Sequence, residues 1–192
     1  FCEISPTTYK ISLKKENLKR HIQNFKQGKK FSKIRQEKIL PNLVSSYSTQ
    51  LIKRGPGIDI TLQKGKATNI QIASKNLNNI IIHPGEEFSF WSLVGNTTKK
   101  KGYQEGRVII NGKVEPDIGG GLCNLANLLH LLIVHSPMKI TEFHSHSDAL
   151  DPDKGTRKPF ANGTSVQYNH QDYRFKNNTD QLIQLRTWTE NE

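Results

Sequence analysis

Cys123 follows three consecutive glycines, Gly119 to Gly121, and opens a stretch with helical periodicity. A cysteine in the first turn of a helix lies beside unpaired backbone N–H groups and the positive end of the helix dipole, which both favour an anion. We therefore expect the thiol to have a pKa below its usual value of about 8.5. The N–H groups of the glycines, with Asn124 beside them, are suited to holding an oxyanion. This arrangement fits a nucleophile in acyl transfer, and it also fits a small structural cysteine.

A nucleophilic cysteine needs a base, and the histidines are the candidates. Cys123, Asn127 and His130 share one face of the predicted helix, opposite an apolar stripe made of Leu125, Leu128, Leu129, Leu132 and Ile133. Seven residues of helix span about 10 Å, so His130 is too far from Cys123 for a direct hydrogen bond. His144 and His146 point to the same face of a predicted strand that follows the helix, and they are the better candidates.

Metal binding is an alternative use of the same side chains. Cys123, His144 and His146 would form a CysHis₂ set for Zn²⁺, although only the His-x-His spacing supports it. We therefore expect no metal and no cofactor, because the sequence also lacks a phosphate-binding loop, a dinucleotide fingerprint and a lipase-type nucleophile elbow. Cys2 is the second of the two cysteines. Neither belongs to a CxxC pair, and a bridge between them is a further alternative.

The periodicity predicts an α+β protein. A basic helical N-terminal region, residues 1–54, precedes a mostly antiparallel β domain, residues 55–192, around one central helix. The boundary is placed at Gly55-Pro56-Gly57, a strong breaker. The expected helices cover 12–27, 30–53 with an interruption near Pro41, and 122–136. Hairpins are predicted over 58–72 and 107–114, and further strands over 80–82, 88–90, 139–144, 164–170, 172–176 and 182–188.

Positive charge is concentrated at the N-terminus. The 192 residues carry a formal charge of +11, and residues 1–50 alone hold 11 Lys/Arg against 3 Asp/Glu. This region favours an anionic partner, such as an anionic polymer or a membrane surface. Nucleic acid is not an expected partner because the region lacks interleaved aromatic residues and a docking motif. With no secretory leader and no apolar run of about 20 residues in the sequence, the default expectation is a cytoplasmic or membrane-peripheral location.

Several segments together resemble the VanW family. They occur in family order over roughly residues 58–188: Pro84-Gly85-Glu86-Glu87-Phe88-Ser89-Phe90, Val94-Gly95, Gly102-Tyr103, Asn111-Gly112-Lys113, Gly119-Gly120-Gly121-Leu122-Cys123, 144–147 and 172–180. The resemblance implies a protein of the cell envelope that is associated with glycopeptide resistance.

The resemblance also suggests a reaction. In larger extracellular members, the domain is linked to L,D-transpeptidation of peptidoglycan through its cysteine. By resemblance that cysteine is Cys123, with His146 as the first candidate base and His144 as the second, and the substrate is a peptidoglycan precursor or stem peptide. The chain departs from the family at Asn124, where Gln is common, and at Phe143, where Arg is expected. The alternative is a non-catalytic accessory module that binds a peptide or an anion.

Overall fold

The computed structural model describes residues 6–110, 113–145, 163–168 and 170–190. The chain order of elements is α1 (Pro6–Lys26), α2 (Ile60–Leu77), β1 (Ile80–Ile82), β2 (Glu87–Ser89), α3 (Phe90–Val94), a 3₁₀ turn (Lys99–Lys101), β3 (Glu105–Ile110), β4 (Lys113–Ile118), α4 (Leu122–Val134), β5 (Lys139–Glu142), β6 (Arg174–Lys176) and β7 (Ile183–Leu185). The α+β class is confirmed. None of the helices in these ranges is both long and apolar enough to cross a bilayer.

All strand pairs between these elements are antiparallel. A three-stranded sheet has the order β2-β6-β5, β1 pairs with β7, and β3 pairs with β4. The main core lies between the sheets and the helices α2 and α4, and its largest fully buried side chains include Tyr103, Tyr173, Phe88, Phe90 and Phe175. Phe88 and Phe175 stack across β2 and β6 with ring centroids 4.5 Å apart. These contacts fix the sheet against which the cysteine helix α4 packs.

The hairpin predicted over 58–72 is wrong, because most of that segment belongs to α2. Asp59 caps the helix by accepting hydrogen bonds from the N–H groups of Thr61 and Leu62 at 2.7 and 3.2 Å. Gly65, expected to turn the chain, lies inside the helix, where an added Cβ would be 1.8 Å from the carbonyl oxygen of Glu105. The glycine allows α2 to approach the β3 backbone closely, and this tertiary contact has no local signal in the sequence.

The predicted helix over 30–53 is also wrong. This segment has little regular structure, and its backbone instead pairs with strand edges. Phe31 forms a parallel bridge with Glu87 of β2, and Arg35 forms an antiparallel bridge with Ile80 of β1. Those edges would otherwise leave N–H and C=O groups unpaired. The N-terminal region is therefore joined to the rest of the structure by backbone hydrogen bonds, while the division at residues 54 and 55 stays a prediction.

The remaining elements follow the sequence more closely. The predicted helices over 12–27 and 122–136 correspond to α1 and α4, and the second hairpin corresponds to β3 and β4. The strand predicted over 164–170 is wrong in its described part, where only isolated bridges form, Ser145 with Thr164 and Gln167 with Gln171. Phe90, expected in a strand, instead begins α3.

Candidate functional site around Cys123

The glycine turn leads directly into α4. Gly119 and Gly121 have φ angles of +83° and +95°, a region that L-residues with side chains rarely occupy, and Gly121 is the N-cap of α4. Gly120 has no positive φ but lies against the backbone of Gly106 in β3, so that an added Cβ would be 2.2 Å from the Gly106 oxygen. Tight packing and backbone conformation therefore both require glycine here.

A buried asparagine fixes this turn. The side chain of Asn69 in α2 is fully buried, and its Nδ2 donates to the carbonyl oxygens of Gln104 and Gly120, both at 2.9 Å. Its Oδ1 accepts from the N–H of Gln104 at 2.8 Å. A buried amide that is satisfied on both sides holds its partners in one arrangement. Asn69 thus sets where the glycine turn and the start of α4 lie relative to α2, a role that the sequence alone did not reveal.

Cys123 lies in the first turn of α4 and is partly exposed. Its Sγ is 3.5 Å from both the backbone N and the backbone O of Val166. Burial raises the pKa of the Cys123 thiol, although hydrogen bonds with the Val166 backbone and with its own backbone act in the opposite direction. The expected lowering of this pKa is therefore wrong, because desolvation outweighs the hydrogen bonds to the thiol.

The structure has the polar face predicted for α4, and the C-terminal part of the chain packs against it. Asn127 accepts a hydrogen bond from the Thr164 N–H at 3.3 Å, and His130 Nδ1 lies 3.3 Å from the Tyr173 hydroxyl. Cys123, Asn127 and His130 thus all face the C-terminal part of the chain, while Leu125 and Leu129 on the other side are buried in the core. The segment Gly163–Gln167 forms part of this cover.

The structure places His144 against the covering segment and beside Glu142. Its backbone oxygen accepts from the Ser165 N–H at 2.8 Å, and its Nε2 lies 3.0 Å from Glu142 Oε1. Val166 is the next residue along and presents its own N–H and C=O to Cys123. Within the described part of the chain, no hydrogen bond joins Cys123 to a histidine. His146, and with it the CysHis₂ alternative, lies outside the described residues.

Asn124 is exposed next to Cys123, and its backbone N–H donates to the carbonyl oxygen of Gly121 at 3.0 Å. Phe143 is the residue at which the resemblance predicted arginine. It stacks on His130 with ring centroids 4.5 Å apart. One of the two departures therefore lies on α4, and the other contacts it through His130.

Comparison with known proteins identifies the family. The family model described as VanW like protein matches residues 65–192. This chain belongs to the VanW family. The VanW match begins inside α2, so it includes the glycine turn, Cys123 and the segment Gly163–Gln167 that lies over it.

Two curated relatives are also similar to this chain. The vancomycin B-type resistance protein VanW of Enterococcus faecalis is 32% identical over 149 residues, which are 78% of this chain and 54% of that protein. The uncharacterized protein YoaR of Bacillus subtilis is 27% identical over 149 residues, 78% of this chain and 48% of YoaR. The chain therefore spans about half the length of the curated relatives it matches. No solved structure is significantly similar to it.

A partly buried charge network joins β5 and β6 to α1, and no sequence pattern predicts it. Glu142 of β5 accepts hydrogen bonds from Arg20 of α1 and from the Asp172 N–H, and its Oε2 is 3.3 Å from Arg174 Nε. The Arg174 guanidinium also donates to Asp172 Oδ2 at 2.6 Å and to Asn24 Oδ1 at 2.9 Å. The partners are 122 and 150 positions apart along the chain, so no local pattern could predict their contact.

The network shifts the titration of its central carboxylate. Burial alone would raise the pKa of Glu142, but hydrogen bonds from Arg20, His144 and the Asp172 backbone outweigh it, so the pKa is lowered. A cavity of about 180 Å³ opens between α1 and the sheet, and its lining includes Arg20, Glu142 and Arg174 but not Cys123. The network thus binds α1, which lies outside the VanW match, to three residues that lie within it: Glu142, Asp172 and Arg174.

Proposed function

We propose that this protein acts at the cell envelope in glycopeptide resistance, and that Cys123 is the nucleophile of an L,D-transpeptidase-type acyl transfer on peptidoglycan peptides. The observation that carries the proposal is the position of Cys123, a partly exposed residue in the first turn of α4, separated from the glycine turn by one residue. Backbone N–H groups at that helix end are suited to the oxyanion of a tetrahedral intermediate. The family membership and the name of the enterococcal relative support the resistance context.

The reaction has two steps. In the first, the Cys123 thiol loses its proton to a base and attacks the L,D-peptide carbonyl; the C–N bond breaks, the amine leaves with a proton returned by the base, and a thioester forms. In the second, an acceptor amine attacks the thioester, loses a proton to the base and releases the thiolate. His146 is the first candidate for the base. His144 would serve only after leaving Glu142, its partner at 3.0 Å.

The second candidate function is a non-catalytic module that binds a peptide or an anion. It is favoured by the contact of the Cys123 thiol with both backbone polar groups of Val166 and by the raised pKa of that thiol. In this form the segment over Cys123 stays closed, and the glycine turn and the start of α4 hold the ligand. The two candidates differ in one property, which is covalent attachment of the substrate to Cys123.

Acylation of Cys123 tests the proposal. Intact-mass measurement after incubation with a stem tetrapeptide or a carbapenem should show one adduct on the wild-type protein and none on Cys123→Ala. Because burial raises the thiol pKa, we expect the acylation rate to increase with pH above about 8.5, as the thiolate forms. Cys2→Ala is the matched control, since Cys2 is the other cysteine of the chain, and it should be acylated like the wild type.

Two results would decide against the nucleophile. An adduct that persists in Cys123→Ala would place the reaction elsewhere. A Cys123→Ser variant that binds the tetrapeptide with unchanged affinity, combined with no adduct on the wild-type protein at any pH, would establish the non-catalytic module instead.

We also propose that α1 docks on an anionic membrane surface. The apolar stripe of α1 faces outward, with Ile11, Leu18, Ile22 and Phe25 exposed by 55, 62, 46 and 88%. The polar residues Arg20 and Asn24 on the opposite side face the sheet through Glu142 and Arg174. Lysines 14, 15, 19 and 26 flank the stripe in the sequence. An apolar stripe bordered by lysines fits the headgroup region of an acidic bilayer better than a polymer that offers charge alone.

Vesicle binding tests this surface. The wild-type protein should bind vesicles containing phosphatidylglycerol and should bind pure phosphatidylcholine vesicles weakly, with an affinity that falls as salt is added. The double variant Leu18→Ser/Phe25→Ser should lose at least about tenfold in affinity, because two apolar side chains no longer enter the bilayer. Leu43→Ser changes an equally exposed leucine outside α1 and should bind like the wild type. Equal binding by the double variant would contradict the proposal.

A further inference from the structure

A lysine occupies a position on α2 that would suit an apolar residue. The buried stripe of this helix runs through Lys66, Ile70, Ala73 and Leu77, at the spacing of a core-facing helix. Lys66 is only 5% exposed. An ammonium that keeps little of its hydration is costly unless a partner compensates for the loss. Lys66 forms no ion pair and no hydrogen bond within the part of the chain that the structure describes.

The Lys66 side chain extends across the start of the cysteine helix. An ideal Cβ on Gly121, the N-cap of α4, would be 2.1, 2.9 and 3.0 Å from Cγ, Cβ and Cδ of Lys66. Gly121 therefore leaves the space through which Lys66 passes. The first N–H groups of α4, before that of Asn124, lie at the same place and have no carbonyl partner within the helix. The stem of Lys66 thus contacts the N-cap of α4 two residues before Cys123, and a lysine and a helix N-terminus both favour negative charge.

The surroundings of Lys66 are positive. Burial, followed by repulsion from Lys53 and Arg107, lowers the pKa of Lys66 to about 8. Three cationic side chains and a helix N-terminus together generate a potential that an anion would neutralise. Similar arrangements of lysine and backbone N–H groups are used by proteins to bind carboxylates and phosphates.

We propose that Lys66 and the N-terminus of α4 form the subsite for a carboxylate of the peptide substrate. This inference rests on the proposed function, because the substrate of an L,D-acyl transfer supplies that group. The leaving D-amino acid carries its carboxylate one residue beyond the carbonyl that Cys123 attacks. The N-cap Gly121 lies two residues before Cys123, so the subsite is next to the proposed nucleophile.

Peptide binding in a Cys123→Ser background tests the subsite without acylation. The probes are Nα-acetyl-L-lysyl-D-alanine and its C-terminal amide, measured by calorimetry. We expect the carboxylate form to bind at least about tenfold more tightly than the amide, and Lys66→Met to abolish this preference. Lys64→Met, which removes an exposed charge two residues away on the same helix, should retain it. Thermal unfolding of Lys66→Met should show an unchanged or higher Tm, because methionine suits the apolar stripe.

The outcomes separate this subsite from the nucleophile. If Lys66→Met keeps the preference for the carboxylate, or if neither probe binds to the parent protein, the subsite is refuted. If the preference depends on Lys66 but no adduct forms on wild-type Cys123, the subsite holds and the acyl transfer fails. If the preference is lost equally in Lys64→Met, general positive charge and not Lys66 attracts the peptide, which also refutes the subsite.

Discussion

Replacing Gly120 by alanine should lower the free energy of unfolding by about 3 kcal/mol, the upper part of the usual range for overpacking. The added methyl group would be 2.2 Å from the backbone oxygen of Gly106 and 2.3 Å from its carbonyl carbon. Backbone atoms cannot rotate away as a flexible side chain can, so β3 and the glycine turn must separate. That movement would also strain the hydrogen bond from Asn69 to the Gly120 oxygen. Urea unfolding of the two proteins measures the difference.

Gly85→Ala is the control for this substitution. Gly85 has a φ angle of +80°, and no atom lies within 4 Å of its ideal Cβ, so alanine there introduces conformational strain and no collision. Its expected cost is about 1 kcal/mol. Gly120 has the opposite combination, a collision with no positive φ. If Gly120→Ala costs no more than Gly85→Ala, the close contact between β3 and the glycine turn is not rigid.

The three glycines illustrate what sequence patterns predict and what they leave out. By their position before a helix, the glycines predict backbone N–H groups that hold an oxyanion. In the structure, Gly119 and Gly121 supply positive φ angles, while Gly120 permits contact with Gly106. Both reasons concern folding. The role in binding an oxyanion therefore stays a prediction, and it no longer follows from the glycines alone.

Periodicity predicted α4 well and α2 poorly for one physical reason. The leucine stripe of α4 repeats at helical spacing and is strongly apolar, so one pattern dominates. The buried face of α2 includes Gln63, Lys66 and Asn69, polar residues whose burial depends on partners elsewhere in the fold. Because these polar residues interrupt the apolar spacing of a helix, the alternation of Ile58, Ile60 and Leu62 predicted a strand instead. The tertiary contacts of the buried polar residues determine that this segment is helical.

The candidate site was predicted in part. Cys123 lies at the start of a helix as expected, and Asn127 and His130 share its face. The sequence could not show that the Val166 backbone would contact the Cys123 thiol or that His144 would pair with Glu142. The His144–Glu142 contact joins residues two positions apart, whereas the Val166 contact depends on how a segment 43 residues further along the chain folds back over α4. Such long-range placement has no signature in local spacing.

Glu142→Gln should be one of the most destabilising conservative substitutions in the protein, with an expected loss of about 3 kcal/mol at pH 7. The carboxylate joins three elements: Arg20 of α1, His144 after β5, and Arg174 of β6. Arg174 is nearly buried, with its side chain 7% exposed, so removal of the negative charge leaves a guanidinium with one carboxylate partner fewer in a poorly hydrated place. Glu105→Gln is the control, since its pair with Lys99 at 3.8 Å is exposed and should contribute less than about 1 kcal/mol.

The pH dependence of stability identifies the charge as the cause. Because the folded protein lowers the pKa of Glu142, its contribution is present above the unfolded value of about 4.3 and is lost as pH falls through the lower folded value. The wild-type protein should therefore lose this part of its stability below about pH 4, and Glu142→Gln should lack that component of the loss. Urea unfolding between pH 3 and pH 7 measures both curves. Parallel curves for the two proteins would mean that Glu142 stabilises through shape and neutral hydrogen bonds, and that its charge does not hold α1 against the sheet.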